Sequence, residues 1–203
     1  MKVAVIGASG RAGSRIVAEL VSRGHRVTGI GRRPEQIPAL PGVTAKQGDL
    51  YDPQGVASLV AGHDAVVSSV RFSDSEPQLL IDAVRAAGVK RYVVVGGAGT
   101  LQVKPGQFEM DGDHMPPAAR ENSRRGGLFL DLLKTSDDLD WTFISPSRMF
   151  VPGERTGRFR YGKDDLLFDA NGESRISFED FALALADELE SPRYLRQRFT
   201  IGY

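Results

Sequence analysis

Short apolar runs alternate with amphipathic segments along the first half of the chain, and this alternation predicts strands and helices in turn. Apolar runs of strand length occur at residues 3–6, 26–30, 43–47, 65–70 and 91–95. Segments with apolar residues three and four positions apart lie between them, at residues 12–21, 53–60 and 79–87. Each of these is followed by a glycine that can end a helix. Strands and helices in this order form a parallel sheet covered by helices on both faces.

The second half of the chain is less regular. Residues 97–120 hold four glycines and three prolines among few apolar positions, so we expect a long loop that acts as a lid or binding loop. Beyond it, the patterns predict helices at 121–134 and 177–190, with strands at 141–145, 158–161, 166–168, 175–176 and 199–201. The dipeptide Asn171-Gly172 predicts the turn of a hairpin between two of the short strands.

A glycine triplet directly follows the first predicted strand. Gly7 would permit a tight turn, Gly10 would let a pyrophosphate approach the backbone, and Gly13 would let the next helix pack closely on the sheet. The anion would then lie at the positive end of that helix. This order of strand, loop and helix predicts a dinucleotide-binding loop made of Gly7, Ala8, Ser9, Gly10, Arg11, Ala12 and Gly13.

The end of the second predicted strand indicates which dinucleotide binds. In NAD-binding proteins of this architecture, an acidic residue about 20 positions after the glycines binds the ribose hydroxyls. Arg32 and Arg33 stand there instead, and their guanidinium groups suit the 2′-phosphate of NADP; a solvated basic turn is the alternative. NADP is therefore favoured over NAD. After the third strand, Asp49 and Leu50 are candidates to contact the adenine, although Asp49 could equally be a turn residue or helix cap.

Together these patterns predict a Rossmann-type α/β fold, with a doubly wound parallel sheet, helices on both faces and a small C-terminal hairpin lobe. At 203 residues the chain suits a single NAD(P)-binding domain spanning 1–203, with the loop 97–120 and the lobe 148–176 as insertions.

Composition narrows the classes of function. The chain has no cysteine, which excludes disulfides and thiolate chemistry and is typical of a reducing compartment. It opens with no charged-then-apolar leader and has no apolar run of membrane-spanning length, so we expect a cytoplasmic protein without a membrane partner. The 26 basic residues balance the 26 acidic ones, and no global charge favours a nucleic-acid partner.

Several stretches make the chain resemble a known family. They are residues 7–16 (GASGRAGSRI), 94–99 (VVGGAG), 141–147 (WTFISPS) and 152–157 (PGERTG), and the runs 162–168 and 176–180 continue the likeness. In these residues the chain is similar to atypical short-chain dehydrogenase/reductases grouped as proposed NADH-flavin reductases. That group is related to biliverdin/flavin reductase and to the NmrA-like NADP-binding proteins. The resemblance covers the chain from end to end.

The resemblance implies a nicotinamide half-site at the ends of the fourth, fifth and sixth strands. The residues there are Ser68, Ser69, Val70, Gly96, Gly97, Ser145, Pro146 and Ser147. Ligands of open α/β sheets bind at the carboxyl ends of the strands, and small residues would let a nicotinamide ring lie flat against the backbone. Each of these ends could equally be an ordinary turn.

The catalytic pair of ordinary short-chain dehydrogenases is missing, since no tyrosine of this chain is followed four residues later by lysine. If Arg120 occupies the lysine position, Pro116 stands at the tyrosine position, and an arginine does not exchange a proton near neutral pH. We therefore predict no catalytic side chain. A sugar-nucleotide epimerase, which needs the same pair, is disfavoured.

Hydride transfer to a flavin does not need that acid, because the protein only has to stack and orient two rings. The resemblance and the missing pair together predict an NADPH-dependent reductase of a planar acceptor. Flavin, as FMN or FAD, would be a substrate rather than a tightly bound cofactor, and a quinone is an equivalent acceptor. The alternative is a non-catalytic, NADP-binding redox sensor of the NmrA-like type.

The long loop holds the remaining candidates. The run Asp111-Gly112-Asp113-His114 has no established metal-ligand spacing, so we predict no metal site and interpret His114 as a solvated loop histidine. The acceptor-side wall is expected to include Phe108, Met110, Met115 and Phe150. The sequence does not indicate an oligomeric state.

Overall fold

The computed structural model describes residues 1–203. Its strands are β1 (Lys2–Ile6), β2 (Arg26–Gly31), β3 (Val43–Gln47), β4 (Ala65–Ser68), β5 (Arg91–Val95), β6 (Gln102–Lys104), β7 (Gln107–Phe108), β8 (Asp140–Pro146), β9 (Met149–Val151), β10 (Arg160–Gly162), β11 (Arg175–Ser177) and β12 (Gln197–Gly202). Its helices are α1 (Arg11–Ser22), α2 (Pro53–Val60), α3 (Pro77–Ala86), α4 (Pro117–Lys134) and α5 (Phe178–Glu190).

Eight strands form one sheet in the order β10-β12-β8-β5-β4-β1-β2-β3. Neighbouring strands pair in parallel throughout, except that β10 runs antiparallel to β12 at one edge. The chain builds outward from β1 to β3 and then returns to the other side of β1 with β4. This doubly wound order is the Rossmann-type fold that the alternation predicts. Its ligand crevice lies where the winding direction reverses, at the carboxyl ends of β1 and β4.

Helices cover both faces of the sheet. On one face α1 and α5 bury residues such as Leu20 and Phe181, and on the other α2, α3 and α4 bury residues such as Leu80 and Phe129. The central strands are buried on both sides, which is why their apolar runs are continuous rather than alternating. None of the helices is both long and apolar enough to cross a membrane.

The segment 97–120 carries more structure than the loop we predicted. Strands β6 and β7 form a short hairpin, a turn of 3₁₀-helix spans Glu109–Asp111, and α4 begins at Pro117 rather than at residue 121. Pro117, which falls in the predicted loop, occupies the first turn of α4, where its missing N–H costs no hydrogen bond. Gly126 is required inside α4, since a Cβ atom there would lie 2.7 Å from the ring of Phe72.

The segment 148–176 also differs from the predicted hairpin. Residues 166–168 form no strand, and β11 pairs in parallel with β9 instead. Asn171-Gly172 does form a turn, in which Asp169 accepts hydrogen bonds from the backbone of Asn171 and Glu173. A turn dipeptide sets a local reversal of the chain, but the choice of strand partners depends on the rest of the fold.

Candidate functional site

The loop between β1 and α1 has the three glycines in distinct geometric roles. Gly7 has φ +81°, and a Cβ atom there would lie 2.2 Å from the carbonyl oxygen of Ser69. A Cβ on Gly13 would lie 2.1 Å from the Gly7 carbonyl oxygen, so Gly13 allows α1 to pack against the strand end. A Cβ on Gly10 would lie 3.1 Å from the Gly7 carbonyl oxygen, a close contact but a much smaller overlap than at the other two glycines. Gly7 and Gly13 therefore serve the fold, and Gly10 leaves space beside the loop.

The first turn of α1 is free to bind an anion. Gly10 stands at the N-cap without a side-chain hydrogen bond, and no acidic residue lies in the first turn. The backbone N–H groups of Arg11, Ala12 and Gly13 have no acceptor in the protein. Unpaired N–H groups at the positive end of a helix attract phosphate. This arrangement fits the pyrophosphate of a dinucleotide.

A cavity of about 410 Å³ lies over this loop, at the carboxyl ends of β1, β2 and β4. It brings together eight of the predicted site residues: Gly7, Ser9, Gly10, Arg32, Asp49, Leu50, Ser69 and Val70. Sequence reasoning missed seven others that line it: Ile6, Ile30, Gly31, Gly48, Tyr51, Arg71 and Asp74. Arg71 could have been predicted from the sequence, because it directly follows Val70, which is itself a predicted site residue.

Two cations of the cavity wall have no carboxylate partner. Neither Arg32 nor Arg71 forms a salt bridge, and both side chains are exposed. Arg33, which we grouped with Arg32, lies outside the cavity wall at the start of a 3₁₀ turn. Asp49 accepts a hydrogen bond from the Tyr51 backbone N–H at 3.0 Å, while the cap of α2 is Asp52. Asp49 is therefore both a turn residue and part of the cavity wall.

Several predicted residues of the first half-site lie outside the cavity wall. Ala8 and Ala12 are buried, and Arg11 stacks over the ring of Phe178 at 5.1 Å. Ser68 is the last residue of β4, and its buried Oγ accepts a hydrogen bond from the hydroxyl of Tyr92 at 3.0 Å. Because that side chain is fully engaged in the core, Ser69 and Val70 are the residues after β4 that face the crevice.

The ends of β5 and β8 form the other predicted half-site. A Cβ on Gly96 would lie 2.3 Å from the ring of Phe143, so this glycine is required by packing between neighbouring strands. Gly97 is less confined, since its Cβ would lie 3.7 Å from Phe72.

The three residues at the end of β8 are all buried. Ser147 donates a hydrogen bond from its Oγ to the carbonyl of Ile201 at 3.0 Å, whereas the hydroxyl of Ser145 has no partner. Pro146 lies between them in the strand. Burying a hydroxyl without a partner is costly, and a polar group of a bound ligand would satisfy it. The unpartnered Ser145 therefore fits the implied nicotinamide half-site.

A buried carboxylate organises the long loop beside these strand ends. Glu109 is fully buried, Arg148 donates to both of its carboxylate oxygens at 2.5 and 2.7 Å, and His114 Nε2 lies 2.9 Å from Oε1. Burial disfavours the charged form of Glu109, but the hydrogen bonds from Arg148 and His114 outweigh it and lower its pKa. His114 is an exposed loop histidine, as expected, but a buried acceptor also fixes one edge of its ring.

Two of the residues predicted for the acceptor-side wall lie in different environments. Phe108 is exposed on the hairpin, whereas Phe150 packs edge-on against Phe178 with ring centroids 4.5 Å apart. Phe150 therefore belongs to the packing around α5 rather than to an exposed wall.

The fold, the phosphate loop and the crevice define an NAD(P)-binding Rossmann protein of the oxidoreductase type. Residues 7–192 match the model of a family described as NAD(P)H-binding. The chain is also 36% identical to the uncharacterized protein YwnB of Bacillus subtilis, over 99% of this chain and 98% of that protein. The chain therefore belongs to the NAD(P)H-binding family.

Solved structures agree with this assignment. A proposed epimerase from Bacteroides thetaiotaomicron is 40% identical with a TM-score of 0.93, covering 100% of this chain and 96% of that one. A proposed NADH-flavin reductase from Streptococcus pneumoniae is 32% identical with a TM-score of 0.81, covering 100% and 99%. The resemblance inferred from the sequence motifs is confirmed by these matches.

Proposed function

We propose that this protein is an NADPH-dependent reductase that transfers hydride to a planar acceptor, either a flavin or a quinone. The observation that carries the cofactor choice is that unpaired Arg32 and the glycine loop line one cavity, at the end of the strand where NAD-binding proteins carry an acid. A free guanidinium at that point suits a phosphate monoester.

Each part of the dinucleotide has residues suited to hold it. The unpaired N–H groups of α1 would bind the pyrophosphate, and Arg32, assisted by Arg71 on the same wall, would bind the 2′-phosphate. Asp49 and Leu50 would border the adenine, and the hydroxyl of Ser145 would meet the nicotinamide end. When bound, NADPH supplies the hydride; the protein binds and orients the two rings and excludes water from between them.

The acceptor class follows from the side chains that line the strand ends. Tyr92 is buried with its hydroxyl bonded to Ser68, and burial raises its pKa, so it is not available as an acid. Arg120 stays charged and exchanges no proton near neutral pH. The usual short-chain dehydrogenase pair therefore has no equivalent, which disfavours epimerase chemistry and favours an acceptor that takes hydride directly. The Streptococcus pneumoniae relative, described as a proposed NADH-flavin reductase, supports this choice.

The decisive experiment mixes the purified protein with NADPH and either FMN or menadione and follows the loss of reduced nicotinamide absorbance. We expect turnover with at least one acceptor, and tighter binding of NADPH than of NADH by calorimetry. Tight NADPH binding without turnover of any planar acceptor would instead favour the redox sensor, and no dinucleotide binding would refute both functions.

A further inference from the structure

The structure places the His114 imidazole and the buried Glu109 carboxylate beside the chain segments that leave the carboxyl ends of β5 and β8, where the acceptor would bind. The backbone N–H of Glu109 donates to the Leu101 carbonyl at 2.9 Å, and that of Met110 donates to the Gly99 carbonyl at 2.9 Å. These bonds fix the segment to the chain that leaves β5. The Arg148 guanidinium then ties Glu109 to the chain that leaves β8. Glu109 and Arg148 therefore link the chain segments that leave the two strands of the implied nicotinamide half-site, and His114 is bonded to Glu109.

The imidazole of His114 has one fixed edge and one free edge. Glu109 as a carboxylate can only accept, so His114 Nε2 carries a hydrogen and donates it. His114 Nδ1 has no hydrogen-bond partner in the protein, and the side chain is 54% exposed. An imidazole oriented through one nitrogen by a buried carboxylate, with the other nitrogen unpaired, is an arrangement used for general acid–base catalysis.

The charges around the imidazole are largely compensated. Arg148 neutralises Glu109, and Arg120 of α4 donates to the carbonyls of Gly112 and Met115 on either side of His114. The acids Asp111 and Asp113 are the remaining charged groups of the same turn.

Exposed apolar side chains adjoin this cluster. Phe108 precedes Glu109 in the chain, Met149 follows Arg148, and both side chains are exposed. The ring of Phe168 lies under the Arg148 guanidinium at 5.6 Å and is also partly exposed. A planar, uncharged molecule would find apolar contacts here, next to a single group able to give a proton.

We propose that His114 is a proton donor to the acceptor, that Glu109 is its positioning residue, and that the physiological acceptor carries a carbonyl oxygen, as a quinone does. This inference rests on the proposed reductase function. Hydride from NADPH brings two electrons and one hydrogen to the quinone, leaving NADP⁺ and a hydroquinone anion. The imidazolium proton of His114 moves to the hydroquinone oxygen, and solvent then protonates the neutral imidazole again.

The test compares His114→Gln with His63→Gln in the intact protein. Glutamine keeps an N–H donor for Glu109 but cannot act as an acid near neutral pH. His63 bonds Thr28 at 2.8 Å, ahead of β4 and away from the acceptor side of the sheet. We expect His114→Gln to lower kcat for menadione by about 10²-fold, with the NADPH Kd unchanged. Turnover of FMN should stay the same, because flavin N5 takes the hydride without protonation of an oxygen. His63→Gln should match the unmodified protein with both acceptors.

Two further readouts separate proton donation from a structural role. The menadione kcat of the unmodified protein should fall with rising pH, and His114→Gln should remove this dependence. Nitrogen-15 NMR of the cofactor-free protein should find the neutral His114 hydrogen on Nε2, and Glu109→Gln should weaken that preference. A hydrogen on Nδ1 would overturn the proposal.

The outcomes for the two proposals are distinguishable. Equal menadione rates in His114→Gln and the unmodified protein, equal losses with both acceptors, or reduction of FMN without any reduction of menadione would each overturn the role of His114 while leaving the reductase in place. If the unmodified protein oxidises NADPH with neither acceptor, the reductase function fails and the role of His114 fails with it.

Discussion

A Cβ atom on Gly13 would lie 2.1 Å from the carbonyl oxygen of Gly7. The first turn of α1 thus rests directly on the end of β1, and no side chain fits between them. Gly10, three residues before Gly13, has its nearest obstacle at 3.1 Å and borders the cavity instead. Two glycines of one loop therefore have separable roles, one in packing and one at the candidate binding surface.

Gly10→Ala should mainly weaken dinucleotide binding, whereas Gly13→Ala should mainly lower the stability of the fold. The methyl group of Gly10→Ala would occupy space next to the candidate pyrophosphate site and make only a close contact with the Gly7 carbonyl oxygen. We therefore expect at least tenfold weaker NADPH binding and a smaller loss of melting temperature than in Gly13→Ala. Gly13→Ala must move α1 from the sheet, and overpacking of this kind costs about 1–3 kcal/mol. Calorimetry and thermal unfolding would measure the two effects. Normal dinucleotide binding by folded Gly10→Ala would mean that the loop is only a turn.

Arg32→Ala should weaken NADPH binding and leave NADH binding unchanged. Loss of a hydrogen bond to a charged group costs about 1.5–3 kcal/mol, which is roughly 10- to 150-fold in Kd. Arg33→Ala is the matched control, because Arg33 is equally exposed but lies outside the cavity wall. The two dinucleotides should be compared by calorimetric titration, and equal NADPH and NADH affinities in the unmodified protein would contradict the assignment.

Glu109→Gln should destabilise the protein by about 1.5–3 kcal/mol at neutral pH, because it removes charge-assisted hydrogen bonds to Arg148 and His114. Since folding lowers the pKa of Glu109, its contribution is present above the unfolded-state pKa of about 4.3 and is lost as pH falls through the lower folded pKa. Urea unfolding should therefore find the gap between the two proteins narrowing in acid. The control Glu121→Gln weakens only exposed ion pairs, with Arg124 and Arg125, and should cost about 0.5 kcal/mol or less. A gap independent of pH would contradict this account.

Phe108→Ala should raise the KM for a planar acceptor severalfold without changing NADPH affinity. The side chain is 36% exposed at the end of the β6–β7 hairpin, so its exposed part offers apolar contact area to a ligand. Leu128→Ala, which truncates an exposed apolar side chain on α4, serves as control. Steady-state kinetics with FMN and menadione would decide, and an unchanged KM for both acceptors would exclude Phe108 from the acceptor wall.

The sequence by itself determined the architecture and placed the glycine loop at the candidate cavity. Runs such as Val3–Ile6 are continuous because parallel strands are buried on both faces, and local spacing alone reveals this. The loop from Gly7 to Gly13 could also be predicted from the sequence, because its conformation depends on backbone geometry within one short segment. The position of Arg32 beside the cavity could be predicted because a strand end fixes its place relative to that loop. Together these local signals were sufficient to predict the fold class.

Only the tertiary structure decided which distant residues meet. Arg71 joins the same wall as Arg32 because β4 and β2 flank β1, an arrangement that the local pattern around Arg71 does not contain. The pairing of β11 with β9 likewise overrode the hairpin suggested by Asn171-Gly172.

Among the predicted residues, His114 is the one whose interpretation gains most from the structure. Its neighbours in the chain are acids and a glycine of a surface turn, which predict solvation. Glu109 becomes a buried acceptor for His114 because Arg148, 39 residues further on, compensates its charge. A carboxylate can be buried only when such partners surround it, and the sequence does not reveal which partners the fold will supply.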